Sequence, residues 1–266
     1  MNDKPFFSII TPVYNGEKYI EKCILSIKNQ TYTHFEHIIM DGGSTDNTLY
    51  IAKKYEGTYN LKIYSQKDKG MYDAIGQGFR HASGNIFSWL NADDMYMPWA
   101  LETISKVFSQ CNVEWCVGHP GFWDDFGNYR LMEMLPVYKR NWIKMGIYDG
   151  RLTYNIQQES TFWTRQLWEL SKAESVINKY SCAGDFFLWK TFSNYAKLYS
   201  VNAPISGFRV HEGQKSEVER ERYYKEVGRL GIIRKILCRF KIIKMFQKLD
   251  SLLCREIIRV QELKEH

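Results

Sequence analysis

The six cysteines of this 266-residue chain include no C-x-x-C pair, and their spacing fits neither a zinc site nor a disulfide scaffold. Apolar runs are short, since none approaches the roughly eighteen uninterrupted residues that indicate a membrane-spanning helix. Internal repeats are missing, and no signal-peptide pattern precedes the first strand-like run. The cysteine pattern and the short apolar runs argue against zinc-ribbon, disulfide-scaffold and membrane-spanning classes, and we expect a cytoplasmic protein with reduced cysteines.

Acidic residues are missing from residues 228–248, although the whole chain has a net charge of only +6. The cations of that stretch are Arg229, Arg234, Lys235, Arg239, Lys241, Lys244 and Lys248. Apolar stripes at helical spacing run through residues 233–260, and a change of face near Lys244 predicts two helices. A cationic helix with apolar residues is typical of contact with anionic lipid at a membrane surface. The alternative is an amphipathic helix packed on the rest of the protein. Nucleic acid is not an expected partner, because no recognition motif accompanies the charge.

The first hundred residues alternate strand and helix signals, which predicts an α/β fold with a mostly parallel sheet covered on both faces. The predicted strands are Phe6–Thr11, Phe35–Met40, Leu61–Tyr64 and Ile86–Leu90, and the predicted helices are Glu17–Asn29, one capped by Ser44–Asp46, and Met71–His81. In such sheets ligands bind at the carboxyl ends of the strands. Those ends carry Thr11-Pro12, Asp41 and Asn91–Asp94, so we predict a polar site at one rim.

Two adjacent carboxylates, Asp93 and Asp94, follow the apolar run Ile86–Leu90. Burying such a pair is unfavourable unless water, a cation or hydrogen-bond donors meet it. Hard divalent cations take oxygen ligands of this kind, usually shared with substrate phosphates. The pair therefore indicates a metal that holds a phosphorylated substrate, whereas a solvated turn or an N-cap for a helix beginning near Pro98 is the structural alternative.

Four N-terminal segments together resemble family 2 glycosyltransferases of the GT-A fold. They are Thr11–Glu17 (TPVYNGE), Asp41–Asp46 (DGGSTD), Gly70–Ala74 (GMYDA) with Gly78, and Leu90–Asp94 (LNADD). Weaker downstream signatures are Gln158–Phe162 (QESTF), Gly184-Asp185 and Phe208–His211 (FRVH), and the likeness ends near Ser216. Within the family, the chain looks most like bacterial enzymes that build surface polysaccharides.

The resemblance implies a Rossmann-like GT-A domain over residues 1–215 and a basic helical C-terminal extension over residues 216–266. Residues 1–110 would bind a nucleotide-sugar, and residues 111–215 would bind the acceptor. The implied reaction is an inverting, metal-dependent transfer of a sugar from a nucleotide-sugar, with a UDP-sugar expected, to a glycan or a lipid-linked diphosphate sugar. The enzyme would lie at the inner face of the plasma membrane, with its basic helices on anionic lipid.

The resemblance also assigns site residues. Nucleotide-sugar contacts are implied for Thr11, Pro12, Tyr14, Asn15, Glu17, Asp41, Gly43, Ser44, Asp73, Asn91 and Asp93. Asp41 matches the carboxylate that accepts a hydrogen bond from uracil, which is the reason to expect uridine; a turn role is its alternative. A solvated helix acid is the alternative for Asp73. Asp94 is the implied direct ligand of Mn²⁺ or Mg²⁺, and Asp93 would face the ribose or a metal-bound water at the same metal site. His211 is a further candidate metal ligand, although a lone histidine is more often structural.

The reaction needs a base, because a sugar hydroxyl is a poor nucleophile at neutral pH. By resemblance this base is Asp185, whose glycine and apolar ring neighbours could raise its pKa. Glu159 is the rival base, and an N-cap for a helix beginning at Phe186 is the structural alternative for Asp185. Three tryptophans are candidates either for stacking on the acceptor sugar or for core packing: Trp163, Trp168 and Trp189.

Two other functions stay open from the sequence. A sugar nucleotidyltransferase has a similar core but usually carries a Gly-rich loop with a basic residue after the first strand, where this chain has Thr11–Asn15. A catalytically degenerate, membrane-associated assembly partner gains slight support from Met40, Gly76 and Asn91, which depart from commoner family residues. The intact Asp93-Asp94 pair opposes it.

Overall fold

The computed structural model describes residues 4–119, 121–132, 136–151, 153–228 and 257–263. The strands are β1 Phe7–Val13, β2 Phe35–Asp41, β3 Leu61–Ser65, β4 Ile86–Trp89, β5 Met95–Tyr96, β6 Trp115–His119, β7 Gly121–Trp123, β8 Tyr129–Met132, β9 Thr161–Thr164, β10 Leu198–Pro204, β11 Ser206–Arg209 and β12 Ile257–Ile258. The helices are α1 Ile20–Lys28, α2 Thr48–Lys53, α3 Met71–His81, α4 Ala100–Gln110, α5 Arg140–Lys144, α6 Arg165–Leu170, α7 Ala173–Ile177, α8 Gly184–Tyr195, α9 Lys215–Val218 and α10 Arg220–Val227. Short 3₁₀ turns occupy Gln158–Ser160 and Val260–Glu262.

A central sheet has the strand order β12-β10-β6-β9-β4-β1-β2-β3, within the described part of the chain. Every neighbouring pair in it is parallel except those of β9, which runs antiparallel to β4 and β6. The predicted mostly parallel sheet is therefore confirmed. A smaller sheet, β5-β11-β7-β8, lies beside it and carries the FRVH segment.

The N-terminal elements form because their apolar spacing matches their period. All seven residues of β1 are buried, as expected for a strand covered on both faces. On α3, Tyr72, Ile75 and Phe79 recur at helical spacing and are all buried. The helix has the predicted bounds, Met71–His81. It packs closely on the sheet because Gly78 leaves room for the Ile10 side chain, which a Cβ would meet at 2.5 Å.

The tryptophans that were candidates for sugar stacking are core residues. Trp163, Trp168 and Trp189 are all buried, and the Trp163 ring centroid lies 6.1 Å from that of Trp168 and 5.7 Å from that of Trp189. Trp89 stacks on Trp189 at 6.0 Å in the same cluster. The stacking hypothesis for these rings is wrong, and the core-packing alternative holds.

The predicted helical tail is only partly correct. Helices α9 and α10 begin it, but Ile257 and Ile258 form a strand that pairs in parallel with Ser200 and Val201 of β10. The helix prediction is wrong at those two residues, because a sheet edge offers backbone partners that a local apolar stripe does not reveal. The basic stretch falls in residues 229–256, which lie outside the described residues. Among the helices that the structure does describe, none is long and apolar enough to span a membrane.

Candidate active site

The carboxyl ends of β1, β2 and β4 meet at one rim, as predicted from the topology. Two loops of that rim are tied to each other. The backbone N–H of Asn15 donates to Ser44 Oγ and that of Thr45 to Asn15 Oδ1, both at 2.8 Å, and Glu17 Oε2 accepts from Asn47 N at 2.9 Å. Asn15, Glu17 and Ser44 therefore build the rim by joining the two loops, and their contacts with a nucleotide stay a prediction.

Thr11 does not present its side chain to the rim. Its hydroxyl is fully buried, 2.9 Å from His37 Nε2 and 3.9 Å from Cys23 Sγ. The Thr11 side chain is therefore held below the rim by these contacts, and a contact of Thr11 with a nucleotide stays a prediction. Pro12 is buried as well, whereas the Tyr14 ring is 64% exposed and free to meet a ligand.

Asp41 and Asp73 both stabilise local backbone. Asp41 is 2% exposed and accepts from the Ser44 N–H at 3.2 Å and from the Ser65 hydroxyl at 2.6 Å. Asp73 Oδ2 accepts from the Lys69 N–H at 3.0 Å, just before α3. Asp41 therefore stabilises a turn, and Asp73 stabilises the start of α3. The roles of both residues in nucleotide binding stay predictions.

The Asp94 carboxylate lies in the interior, at 1% exposure. Its Oδ1 accepts from the Arg209 N–H at 2.8 Å. Burial and the neighbouring charges of Asp93 and Glu159 raise the pKa of Asp94 well above its usual range. Helix α4 begins only at Ala100, so the N-cap alternative for this pair is wrong.

His211 and Arg209 approach the pair from the smaller sheet. His211 Nε2 lies 3.2 Å from Asp93 Oδ2, and this hydrogen bond raises the pKa of His211 above its usual value. The Arg209 guanidinium is fully buried, donates to the Asp93 carbonyl and lies 5.1 Å from the Tyr19 ring. His211 thus lies beside the Asp93 carboxylate, and its role as a metal ligand stays a prediction. The sequence analysis did not assign Arg209 a role in holding Asp93 and Asp94 in place. Its position in the FRVH segment, two residues before His211, was the only sequence feature that pointed to the site.

Asp185 lies in the first turn of α8 and faces α3. Its Oδ1 accepts from the Tyr72 hydroxyl at 3.2 Å, and the Asp185 backbone N–H donates to the Tyr72 hydroxyl oxygen at 3.2 Å. Burial raises the pKa of Asp185 above its ordinary value. Since α8 begins at Gly184, Asp185 is not the cap of the helix. Tyr72, part of the GMYDA segment, is a site residue to which sequence reasoning gave no role.

Glu159, the rival base, sits in the 3₁₀ turn at 3% exposure. Its Oε1 has no hydrogen-bond partner among the residues that the structure describes. Burial, together with the negative charges of Asp93 and Asp185, raises its pKa to about 8. Asp185 accepts the Tyr72 hydroxyl, whereas Glu159 Oε1 has no donor in the described ranges, and this difference favours Asp185 as the base.

One cavity of about 630 Å³ joins these groups, since Asp93, Glu159 and Asp185 all line it. Its aromatic wall comes from several segments: Phe122, Tyr154, Phe208, Tyr223 and Tyr224. Helix α10 contributes Tyr223 and Tyr224 to this wall, and Lys215 and Ser216 of α9 line the same cavity. The predicted boundary at residue 215 stays a prediction, but the first helices beyond it belong to the site.

Metal binding by protein groups alone is not indicated: in the described ranges, no three His, Cys, Asp or Glu side chains converge to hold an ion. Asn91 Oδ1 is buried near Asp94 and has no hydrogen-bond partner within those ranges. The oxygen donors of Asp93, Asp94 and Asn91 fit a hard divalent cation that takes its other ligands from substrate phosphates and water.

Comparison with known proteins matches residues 8–170 to Glycosyl transferase family 2. The uncharacterized glycosyltransferase YibD of Escherichia coli K12 is 27% identical over 257 residues, covering 86% of this chain and 71% of YibD. The chondroitin synthase of Escherichia coli is 28% identical over 242 residues, covering 86% of this chain and 33% of that enzyme. This chain thus spans only a third of the length of chondroitin synthase.

Among solved structures, S. aureus TarS 1-349 in complex with UDP-GlcNAc superposes with a TM-score of 0.64. It is 19% identical, and the match covers 80% of this chain and 60% of the TarS chain. This likeness shows the GT-A fold of the sheet and its flanking helices. Since the family match extends over more than half of the sequence, the chain belongs to glycosyl transferase family 2.

Proposed function

We propose that this glycosyltransferase moves a sugar from a nucleotide-sugar, with a UDP-sugar as the expected donor, to a glycan or a lipid-linked diphosphate sugar in bacterial surface polysaccharide synthesis. One observation carries the proposal: Asp93, which follows β4, and Asp185, in α8, line a single cavity beside the buried Asp94. The names of two similar proteins support the substrate classes, since one is a chondroitin synthase and one is bound to UDP-GlcNAc.

The donor diphosphate belongs, in this proposal, at the Asp93-Asp94 end of the cavity. Mn²⁺ or Mg²⁺ held by Asp94 and Asp93 would neutralise the charge that develops on the leaving nucleotide. His211 holds the Asp93 carboxylate at 3.2 Å, and the Arg209 N–H holds that of Asp94 at 2.8 Å. Both carboxylates are thus oriented before a donor arrives.

Asp185 is the proposed base that takes the proton of the attacking sugar hydroxyl. A hydrogen bond from the Tyr72 hydroxyl to Asp185 Oδ1 stabilises the ionised carboxylate, while burial raises its pKa and so its basicity. Burial and the charges of Asp93 and Asp185 also raise the pKa of Glu159, but its Oε1 has no hydrogen-bond donor among the described residues to stabilise an ionised form, so Asp185 is the preferred base. A single displacement assisted by one base would invert the anomeric centre, giving a β-linkage from an α-linked donor.

The acceptor sugar belongs at the aromatic wall. Tyr154, Phe208 and Tyr224 line the same cavity as Asp185, and sites that bind small molecules combine such rings with a few polar groups. We assign acceptor binding to these rings and not to Trp163, Trp168 and Trp189, which are buried in the core. Contact of the basic stretch with the inner face of the membrane is a separate proposal, supported by its sequence alone.

Donor hydrolysis tests the function. Purified protein is incubated with UDP-, GDP- and dTDP-sugars, with Mn²⁺, Mg²⁺ or a chelator, and nucleoside diphosphate release is measured. We expect release with one donor class, dependent on the cation. Pyrophosphate release from a nucleoside triphosphate would indicate a nucleotidyltransferase instead. Failure of every nucleoside diphosphate to bind in calorimetry would indicate a degenerate partner.

Two variants test the site. Asp94→Ala is expected to abolish turnover and weaken donor binding, because it removes the proposed cation ligand. Asp185→Asn is expected to abolish turnover with near-normal donor binding, because the amide keeps the shape but cannot take a proton. Glu56→Gln, at an exposed carboxylate that follows α2 and lies outside the rim segments, is the matched control. Activity retained in both site variants contradicts the assignment.

A further inference from the structure

Helix α10 holds the turn that leads into α8. The Glu226 carboxylate accepts three consecutive backbone N–H groups: Oε1 from Ser181 at 3.0 Å, and Oε2 from Cys182 at 3.0 Å and Ala183 at 2.9 Å. Burial alone would raise the pKa of Glu226, but these N–H bonds lower it, so the group is ionised at neutral pH. Residues 181–183 immediately precede Gly184, the first residue of α8.

Other side chains of α9 and α10 hold the same turn. Lys215 Nζ donates to the Ser181 carbonyl at 3.0 Å, and Arg222 Nη2 donates to the Ser181 hydroxyl at 2.9 Å. Cys182 Sγ donates to Glu219 Oε2 at 2.6 Å. Among these described side chains of α9 and α10, Glu226 alone accepts from the backbone N–H groups of three successive residues, and those donors fix the path of the chain.

From the other side, Tyr72 of α3 links the turn to the Asp185 carboxylate. Its hydroxyl lies 3.2 Å from both the Cys182 carbonyl and Asp185 Oδ1. A shift of the 181–183 turn therefore displaces Asp185 relative to its hydrogen-bond partner. The turn is held by Glu226 on one side and Tyr72 on the other, and Asp185 follows it directly.

We propose that Glu226 is a positioning residue for Asp185, fixing the 181–183 turn so that the Asp185 carboxylate keeps its place in the cavity. This inference rests on the proposed role of Asp185 as the base. Proton transfer requires heavy atoms within hydrogen-bond reach, so a small displacement of the turn is costly for turnover. Asp93 and Asp94, which are proposed to bind the nucleotide-sugar, follow β4. Among the described residues they make no hydrogen bond with the 181–183 turn, so a shift of the turn should leave binding of the nucleotide-sugar intact.

Kinetics of Glu226→Gln test the proposal. The amide replaces one accepting oxygen by an NH₂ donor that faces backbone N–H groups. We expect kcat to fall by about tenfold or more, since a misplacement near 1 Å costs on the order of a hundredfold, while the donor KM changes by less than about twofold. Glu226→Asp keeps the charge on a shorter stem and should recover part of the loss. Glu221→Gln, an exposed carboxylate on the same helix, is the matched control.

The outcomes separate this inference from the proposed function. An unchanged kcat in Glu226→Gln overturns the inference when Asp185→Asn is inactive in the same assay. A fall in kcat accompanied by a raised donor KM and a lower melting temperature also overturns it, because that pattern shows a general structural role. Full turnover in Asp185→Asn contradicts the proposed base itself, whatever Glu226→Gln does.

Discussion

Three carboxyl groups of the cavity region differ in what surrounds them: Asp94 and Glu159 are buried, and Asp185 is half-buried at the cavity surface. Asp94 accepts a backbone N–H from Arg209, and Asp185 accepts the Tyr72 hydroxyl. Glu159 Oε1 has no partner within the described ranges, and its pKa rises to about 8. Environment rather than residue type therefore separates the proposed cation ligand, the proposed base and the rival carboxyl Glu159.

Glu36, at the opposite end of the sheet, carries a prediction on pH dependence. Its carboxylate is fully buried; burial alone would raise its pKa, but hydrogen bonds from Lys62, Ser8 and Ser83 lower it to about 2. Because the folded-state pKa lies below the ordinary 4.5, the stabilisation is present above that pH and is lost as pH falls toward 2. We expect Glu36→Gln to lower the free energy of unfolding at pH 7 by on the order of 2 kcal/mol.

Urea denaturation between about pH 7 and pH 3 measures this effect, since linkage makes stability depend on pH wherever the two states bind protons differently. The wild type should lose stability more steeply than Glu36→Gln below about pH 4.5. Glu56→Gln, at an exposed site, should follow the wild-type curve. Parallel curves for the wild type and Glu36→Gln would contradict the assignment of the low pKa.

At the scale of elements, the closeness of α3 to the sheet decides where Tyr72 and Asp73 lie. A Cβ at Gly78 would meet Ile10 Cγ2 at 2.5 Å and Met40 Cγ at 3.1 Å, both in buried strands. A Cβ at Gly76, on the same helix, would meet Glu174 Cγ at 2.9 Å, in a flexible and partly exposed side chain. The two glycines thus face neighbours that differ in their freedom to move.

We predict opposite effects for two alanine substitutions on this helix. Gly78→Ala should destabilise the protein by about 1–3 kcal/mol, because the packed strands cannot yield. Gly76→Ala should be neutral or stabilising by up to about 1 kcal/mol, since alanine favours the helix and Glu174 can move aside. Thermal unfolding of both variants checks this, and equal melting temperatures would contradict the packing account.

At the scale of the whole molecule, distant segments complete both sheets. The smaller sheet brings Arg209 and His211 against Asp93 and Asp94, more than a hundred residues earlier in the chain. Strand β12 extends the main sheet at β10, and Ile258 packs against the apolar cluster that contains Val201. The described parts of the C-terminal segment, α9 and α10 at its start and β12 near its end, thus belong to the catalytic fold.

Removal of residues 257–266 tests that contribution. The truncated protein should have a melting temperature lower by several degrees, because each 1 kcal/mol lost shifts it by about 2–4 °C in a chain of this size. Truncation of residues 264–266 alone leaves β12 in place and serves as the control. An unchanged melting temperature after the longer deletion would show that the added strand contributes nothing to stability.

Local patterns predicted the elements of the N-terminal half, because each has a period that its own residues set. Helix α3 has the predicted bounds, and β4 was predicted to within one residue. Topology also placed Asp41 and Asp93 at the same rim. The burial of the Thr11 hydroxyl was not predicted. A strand that is covered on both faces has no alternation of polar and apolar residues, so its sequence does not show which face each side chain occupies.

The sequence by itself determined the family, the parallel sheet and the carboxylates at its rim, since these follow from motifs and from short-range periodicity. Only the tertiary structure decided which groups meet: Tyr72 with Asp185, Arg209 with Asp94, and Glu226 with the 181–183 turn. It also assigned Ile257 and Ile258 to a strand. Those contacts join residues far apart in the chain, and burial and the available partners, which no local pattern encodes, select among the conformations that each segment allows.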